Sequence, residues 1–208
     1  MKRGVNTLAK SKRARSPGDR DAIRVRLCDA AAKLFLEEGE AALSMRRLAV
    51  EVGCSPMAPY RYFADKEALV AAIRTQAFNR LADSLEGVEQ NDRHRARDIG
   101  DAYVQFAREN PAAYKLMFDL SQPSEGAHPE LDAAGARARA GMTAYVEELV
   151  DAGLLQGDPR ELGLAFWATI HGLIMLELAG RIPAEPGFER LRRLAMGGLM
   201  RGFRPDPR

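Results

Sequence analysis

The sequence predicts an all-α chain: a three-helix N-terminal unit of helix-turn-helix type, then a larger helical domain, about nine helices in all. Two observations carry this. Apolar residues recur at helical spacing almost from end to end, and no strand-like alternation bounded by turn signals, nor any internal repeat, interrupts them. Proline, glycine and capping residues cut the pattern into segments of helix length. With 46% hydrophobic and 29% charged residues in 208, the composition is that of an ordinary globular chain with enough apolar matter for a core.

After Ser16-Pro17-Gly18, residues Ile23, Leu27, Ala31, Leu34 and Phe35 mark a first helix that Gly39 stops. Ser44 caps a short second helix with Leu48, Ala49 and Val52 on one face, ending at Gly53. Ser55 as N-cap and Pro56 at the first helical position open a brief third helix reaching about Phe63. Asp65 caps a longer fourth, with Leu69, Ile73, Ala77, Leu81 and Leu85 inward. The remaining helices fall at about 92–109, 111–119, 129–152, 159–181 and 186–203. Their boundaries are Asn110-Pro111, Ser121 to Pro129, Gly153 to Pro159, and Ile182 to Gly187. This divides the chain into a basic arm (1–18), the helix-turn-helix unit (19–65) and the larger domain (66–208).

The two cysteines, Cys28 and Cys54, have neither metal-ligand spacing nor a disulfide-framework pattern. The chain opens on polar sequence with no apolar signal core, and its longest apolar stretch, Gly163 to Leu176, is broken by His171 and short for a bilayer. The expectation is a cytoplasmic protein with no membrane partner. Net charge is only +2, yet Lys2, Arg3, Lys10, Lys12, Arg13, Arg15 and Arg20 face a single acid, Asp19, in the first twenty residues. Such an arm suits phosphate or minor-groove contact, and equally a solvated tail.

In a helix-turn-helix the first short helix braces against the DNA backbone while the second enters the major groove with its N-terminal residues. Here that second element starts apolar: Met57 and Ala58 offer methyl contact to thymine instead of hydrogen bonds. Polar reach comes from Arg46, Arg47, Ser55, Tyr60, Arg61 and Tyr62. Lys66 opens the fourth helix, where a cation and a helix N-terminus together favour phosphate. With Ser44 and Pro56 these form the candidate DNA-contacting set. Plainer readings exist for several: Arg46 and Arg47 also fit a solvated face, and Tyr60 a core aromatic with its hydroxyl at the rim. Pro59, which removes a backbone donor inside the third helix, has no stability rationale.

Residues 20–80 resemble the N-terminal domain of the TetR family of transcriptional repressors. The resemblance rests on Ala30-Ala31-Ala32-Lys33-Leu34-Phe35, Gly39, and Leu43-Ser44-Met45-Arg46-Arg47-Leu48-Ala49. It continues through Val52-Gly53-Cys54-Ser55 and Ala58-Pro59-Tyr60-Arg61-Tyr62-Phe63-Ala64-Asp65-Lys66-Glu67-Ala68-Leu69. It implies that Tyr60 and Lys66 hold phosphates, that Arg46 reaches a base edge, and that Ser55 to Ala58 meet bases or backbone. Tyr62 departs from the histidine frequent in the family; both side chains can donate to a phosphate. Further on, Pro111-Ala112-Ala113-Tyr114-Lys115-Leu116-Met117-Phe118 and Trp167-Ala168-Thr169-Ile170-His171-Gly172-Leu173 resemble the subgroup named for a Trp-His-Gly pattern. The resemblance implies a homodimeric repressor of a palindromic operator on double-stranded DNA, released by a small-molecule effector. It implies no enzyme activity and no cofactor. An architectural, sequence-independent nucleic-acid binder working through the basic arm is the alternative.

In the larger domain, Trp167 and His171 are four apart and share a helix face. Phe78, Tyr103, Phe106, Tyr114, Phe118 and Tyr145 come from different helices and fit either a core or, with Trp167 and His171, an apolar cavity for a hydrophobic effector. No second His, Cys or carboxylate stands at metal spacing from His171, so no metal is expected; His94 and His128 read as surface residues. Glu177, six residues from His171, points to another face, and no nucleophile motif accompanies the pair. The last two helices carry apolar residues over more than one face: Leu162, Phe166, Ile170, Leu173, Ile174 and Leu178, then Leu191, Leu194, Ala195, Leu199, Met200 and Phe203. So wide an apolar arc needs partners on both sides, and Gly197, Gly198 and Gly202 permit close approach. A two-fold bundle of these helices sets two recognition helices about one DNA turn apart, ~34–36 Å or modestly more.

Overall fold

Prolines and capping side chains set most helix boundaries. The computed structural model describes residues 17–39, 42–89, 94–119 and 126–205; the basic arm up to residue 16 lies outside them. The helices are α1 (Pro17–Glu38), α2 (Met45–Val52), α3 (Lys66–Glu86), α4 (Arg95–Glu109), α5 (Pro111–Met117), α6 (Pro129–Asp151), α7 (Pro159–Leu178) and α8 (Gly187–Gly202). No strand occurs among the described residues. Proline opens α5, α6 and α7, where its missing N–H is one the helix cannot use. The Ser44 hydroxyl accepts the Arg47 N–H at 3.2 Å, and the Asp65 carboxylate the Ala68 N–H at 2.8 Å. Gly53, at φ 69°, ends α2 with its N–H returned to the helix.

The expected third α-helix is absent; in its place stands one 3-10 turn, Pro59–Arg61. The reason is a missing donor. A helix opened at Pro56 makes its first backbone bond from residue 59 to the Ser55 carbonyl, and residue 59 is proline. The Ala58 N–H takes that carbonyl instead at 2.8 Å, and Tyr62 repeats the tighter turn on Pro59 at 2.9 Å. Ser55 and Pro56 are therefore turn residues, not the cap and first residue of an α-helix.

Two hydrophobic cores result. The first gathers Leu27, Ala31 and Leu34 of α1, Leu48 of α2, Phe63 from the segment before α3, Leu69 and Ile73 of α3, and Leu116 of α5. The second takes Ala77, Leu81 and Leu85 from the same α3, with Tyr103, Tyr114, Met142, Phe166, Ile170 and Ile174. The helix that begins just past the boundary expected at residue 65 thus serves both cores. Where α7 passes α6 the backbones come close: a Cβ on Gly163 would sit 2.8 Å from Thr143 Cβ.

The apolar stretch read as short for a bilayer belongs to a 20-residue helix that is long and apolar enough to cross a membrane. In this fold α7 buries Leu162, Phe166, Ile170 and Ile174 in the bundle. By contrast α8 buries only Phe188 within the chain. Leu164 and Leu176 of α7 and Leu194 of α8 are exposed.

Candidate functional site

The candidate DNA contacts fall into two groups. Arg46 is exposed and makes no ion pair among the described residues, whereas Arg47 turns back to Glu38 of α1, with Nη2 2.8 Å from Oε1. The hydrogen bond to Glu38 raises the Arg47 pKa further above its ordinary value. The Ser44 hydroxyl is held by its capping bond. In the turn that replaces the third helix, Ser55, Pro56 and Arg61 are exposed, Met57 is 66% exposed and Tyr60 48% exposed. Tyr60 is therefore not a core residue. Ala58, Tyr62 and Lys66 are half-buried, Tyr62 against the first core. Pro59 is buried, and the two tight turns around it project Met57 and Tyr60 outward.

In the larger domain a cavity of about 420 Å³ lies between α3, the end of α5, α6 and α7. Phe78, Leu81, Met117, Phe118, Met142 and Trp167 give it an apolar wall, completed by Gly135, Ala138, Asp119, Arg139 and His171. The Phe118 ring stands edge-on to His171 at 4.5 Å and to Phe78 at 5.8 Å. The Arg139 guanidinium lies 6.0 Å from the Trp167 ring centre. Of the eight residues expected here, Phe78, Phe118, Trp167 and His171 line the cavity.

The other four do not. Tyr103 and Tyr114 are fully buried behind the wall, and Phe106 is a core residue of α4, which supplies no lining. Tyr145 lies two helical turns beyond Ala138 on α6, about 10 Å along the axis. It borders a separate space of about 430 Å³ with Phe166, Arg192 and Met196. The tyrosines instead form a polar chain through the apolar interior. Trp167 Nε1–H donates to Tyr103 Oη at 3.0 Å, the Tyr103 and Tyr114 hydroxyls lie 2.9 Å apart, and Tyr114 Oη is 2.7 Å from His171 Nδ1. Burial pushes the Tyr103 hydroxyl up to about 12 and Tyr114 beyond the usual phenol range. It pushes His171 down from 6.5, towards the neutral ring.

Sequence reasoning missed Met117, Asp119, Arg139, Met142 and the small residues Gly135 and Ala138. A search for aromatic rings passes over all of them, although 135, 138 and 142 repeat at helical spacing. It also missed Arg74, a buried arginine of α3 whose Nε donates to the Leu116 carbonyl at 2.9 Å. That bond fixes α5, whose residues divide their contacts: Leu116 enters the first core, while Tyr114 and Met117 enter the second. His128 is half-buried and reaches Glu67 at 3.3 Å. Glu177 pairs with Arg108 at 2.8 Å. Among the described residues no group of three or more His, Cys, Asp or Glu is placed to hold a metal ion.

Two family models match. One, for bacterial regulatory proteins of the tetR family, covers residues 27–73; the other, for a tetracyclin repressor-like C-terminal domain, covers 96–197. Among curated proteins, the HTH-type transcriptional regulator Rv1816 of Mycobacterium tuberculosis is 27% identical over 204 residues, 80% of this chain and 85% of that one. The nucleoid occlusion factor SlmA of Mannheimia succiniciproducens is 38% identical over 88 residues; the match spans 40% of this chain and 40% of the factor. A Rhodococcus sp. RHA1 protein of unknown function superposes with a TM-score of 0.75 at 27% identity, over 95% of this chain and 100% of its own. PfmR of Thermus thermophilus, a TetR family transcriptional regulator, shares the fold at TM-score 0.66 and 24% identity, over 88% and 100%.

Proposed function

The chain belongs to the TetR family of bacterial regulators, and on that premise we propose that it is a homodimeric repressor released from a palindromic operator by a small apolar effector. The family is one of DNA-binding transcriptional regulators and not of enzymes, and a cytoplasmic location accompanies this reading. Arg46, Met57, Ala58 and Tyr60 meet bases or phosphates, with Ser55, Pro56, Arg61, Tyr62 and Lys66 around them. Ser44 and Arg47 hold α2 in place. The effector occupies the cavity lined by Phe78, Phe118, Trp167 and His171. The domain division at 18 and 65 is kept as a division of labour.

The observation that carries the proposal is the position of α5. One seven-residue helix places Tyr114 against the cavity histidine and Leu116 in the core of the DNA-reading unit. A ligand that displaces α5 therefore acts on both cores, and release follows from its differential affinity for two dimer states. The wide apolar arc of α7 and α8, with Leu164, Leu176 and Leu194 exposed, supports pairing with a second copy.

Selection of duplexes by the purified protein tests the reading: a palindromic site should be enriched, and enrichment without dyad symmetry sinks it. The alternative, an architectural binder working through the arm, separates on deletion of residues 1–18. That deletion removes nearly all affinity from an architectural protein and only part from an operator reader.

A further inference from the structure

We infer that His171 offers the effector cavity a hydrogen-bond donor, and that the cavity selects a compact apolar molecule bearing a carbonyl-type oxygen acceptor. The inference rests on the reading of this cavity as the effector site and adds a polarity to it.

The protons along the Trp167–Tyr103–Tyr114–His171 chain fix its direction. A tyrosine hydroxyl donates once and accepts up to twice. Trp167 Nε1–H can only donate, so Tyr103 Oη accepts from it. Tyr103 is fully buried, and the one acceptor within reach of its own proton among the described residues is Tyr114 Oη. Tyr114 therefore receives that proton and directs its own to His171 Nδ1. The reverse order, with Nδ1–H donating to Tyr114 and Tyr114 to Tyr103, leaves the Tyr103 proton buried with no partner, which is unfavourable. With Nδ1 an acceptor, the neutral ring carries its proton on Nε2. The burial that lowers the His171 pKa favours this neutral form. His171 lines the cavity, and Nε2 is not among the buried polar atoms without a partner, of which the described residues hold one, Arg95 Nε. Nε2–H is thus accessible and free to meet a ligand.

The rest of the wall is apolar apart from Asp119 and the exposed Arg139. One oriented donor in such a surface discriminates by what an unmatched polar group costs: a ligand that brings only donors sets hydrogen against hydrogen.

Trp167 is the single tryptophan of the chain and lines the cavity, so its fluorescence reports occupancy. The full-length protein is titrated at pH 7.5 with 2-octanone, an acceptor, and octylammonium, a donor. N-acetyltryptophanamide corrects for collisional quenching. The expected result is saturable binding of 2-octanone about tenfold or more tighter than octylammonium. The preference persists in the Asp119→Asn, Arg139→Leu double variant, where neither charge of the wall acts on octylammonium. In Tyr114→Phe the ring is free to present either tautomer; 2-octanone weakens and octylammonium strengthens, a reversal that loosened packing alone does not produce. Equal affinities, or a preference for octylammonium, in that charge-neutralised variant overturn the proposed polarity and leave the cavity as a ligand site. No saturable response to either probe overturns both readings.

Discussion

Arg47 commits its guanidinium to Glu38, 2.8 Å away on α1, whereas its neighbour Arg46 is exposed and makes no ion pair among the described residues. Adjacent helical positions point about 100° apart, so the division follows from the α-helix itself. The expected outcomes differ accordingly. Arg46→Ala relaxes base preference at one position of each half-site, read by selection on randomised duplexes. Lys66→Ala weakens all duplexes alike and lowers the slope of log K against log salt by about one, read by titration at several salt concentrations. His171 carries a prediction about pH. Its folded pKa lies below the 6.5 of the unfolded chain because burial disfavours the charged ring. Between those two values the unfolded chain binds the extra proton. The contribution of His171 to stability is therefore whole above about pH 6.5 and falls away as pH drops through the folded value. Urea unfolding at pH 7.5 and pH 5 should show a smaller loss in His171→Gln than in the unaltered protein; an equal loss refutes it.

At the scale of the element, what was legible in the sequence is what local hydrogen bonds decide. Ser44, Gly53 and Asp65 announce the ends of α2 and α3 because each acts within a few residues of itself. Pro59 was visible as an anomaly, but its consequence needed the missing Ser55 carbonyl bond to be counted. The cavity was half legible. Phe78, Phe118, Trp167 and His171 stand out by type, whereas Met117, Met142, Gly135 and Ala138 look like any core residue until α3, α5, α6 and α7 are placed. The same holds for Gly163, which in sequence is one glycine among 18. In the fold it is the place where α7 clears Thr143. Gly163→Ala should destabilise by about 1–3 kcal/mol through overpacking, despite the better helix propensity of alanine. In a Thr143→Gly background, where the facing Cβ is gone, the same substitution should cost much less in a urea titration. Without that rescue, the close approach is not the reason for the glycine.

For the molecule as a whole, α7 and α8 leave Leu164, Leu176 and Leu194 in water. The proposed pairing with a second copy would remove them from it. Leu194→Asp places a charge in that proposed interface and should yield a monomer by sedimentation, with operator affinity lost and helix content kept; a dimer that persists moves the interface elsewhere. The two cores bear on a different matter. Leu69 and Ile73 in the first half of α3, and Ala77, Leu81 and Leu85 in the second, belong to separate interiors on one continuous rod, and Leu116 reaches back into the first from 42 positions beyond Arg74, which holds its carbonyl. A chimera spliced between residues 65 and 66, where the turn chemistry invites the cut, keeps Asp65 and discards Leu69, Ile73 and Leu116 together. The transplanted head arrives with its interior open on one side. A graft that works has to carry α3 and α5 with it, so the portable unit is discontinuous in the chain, and recombination by simple crossover has no clean seam to use.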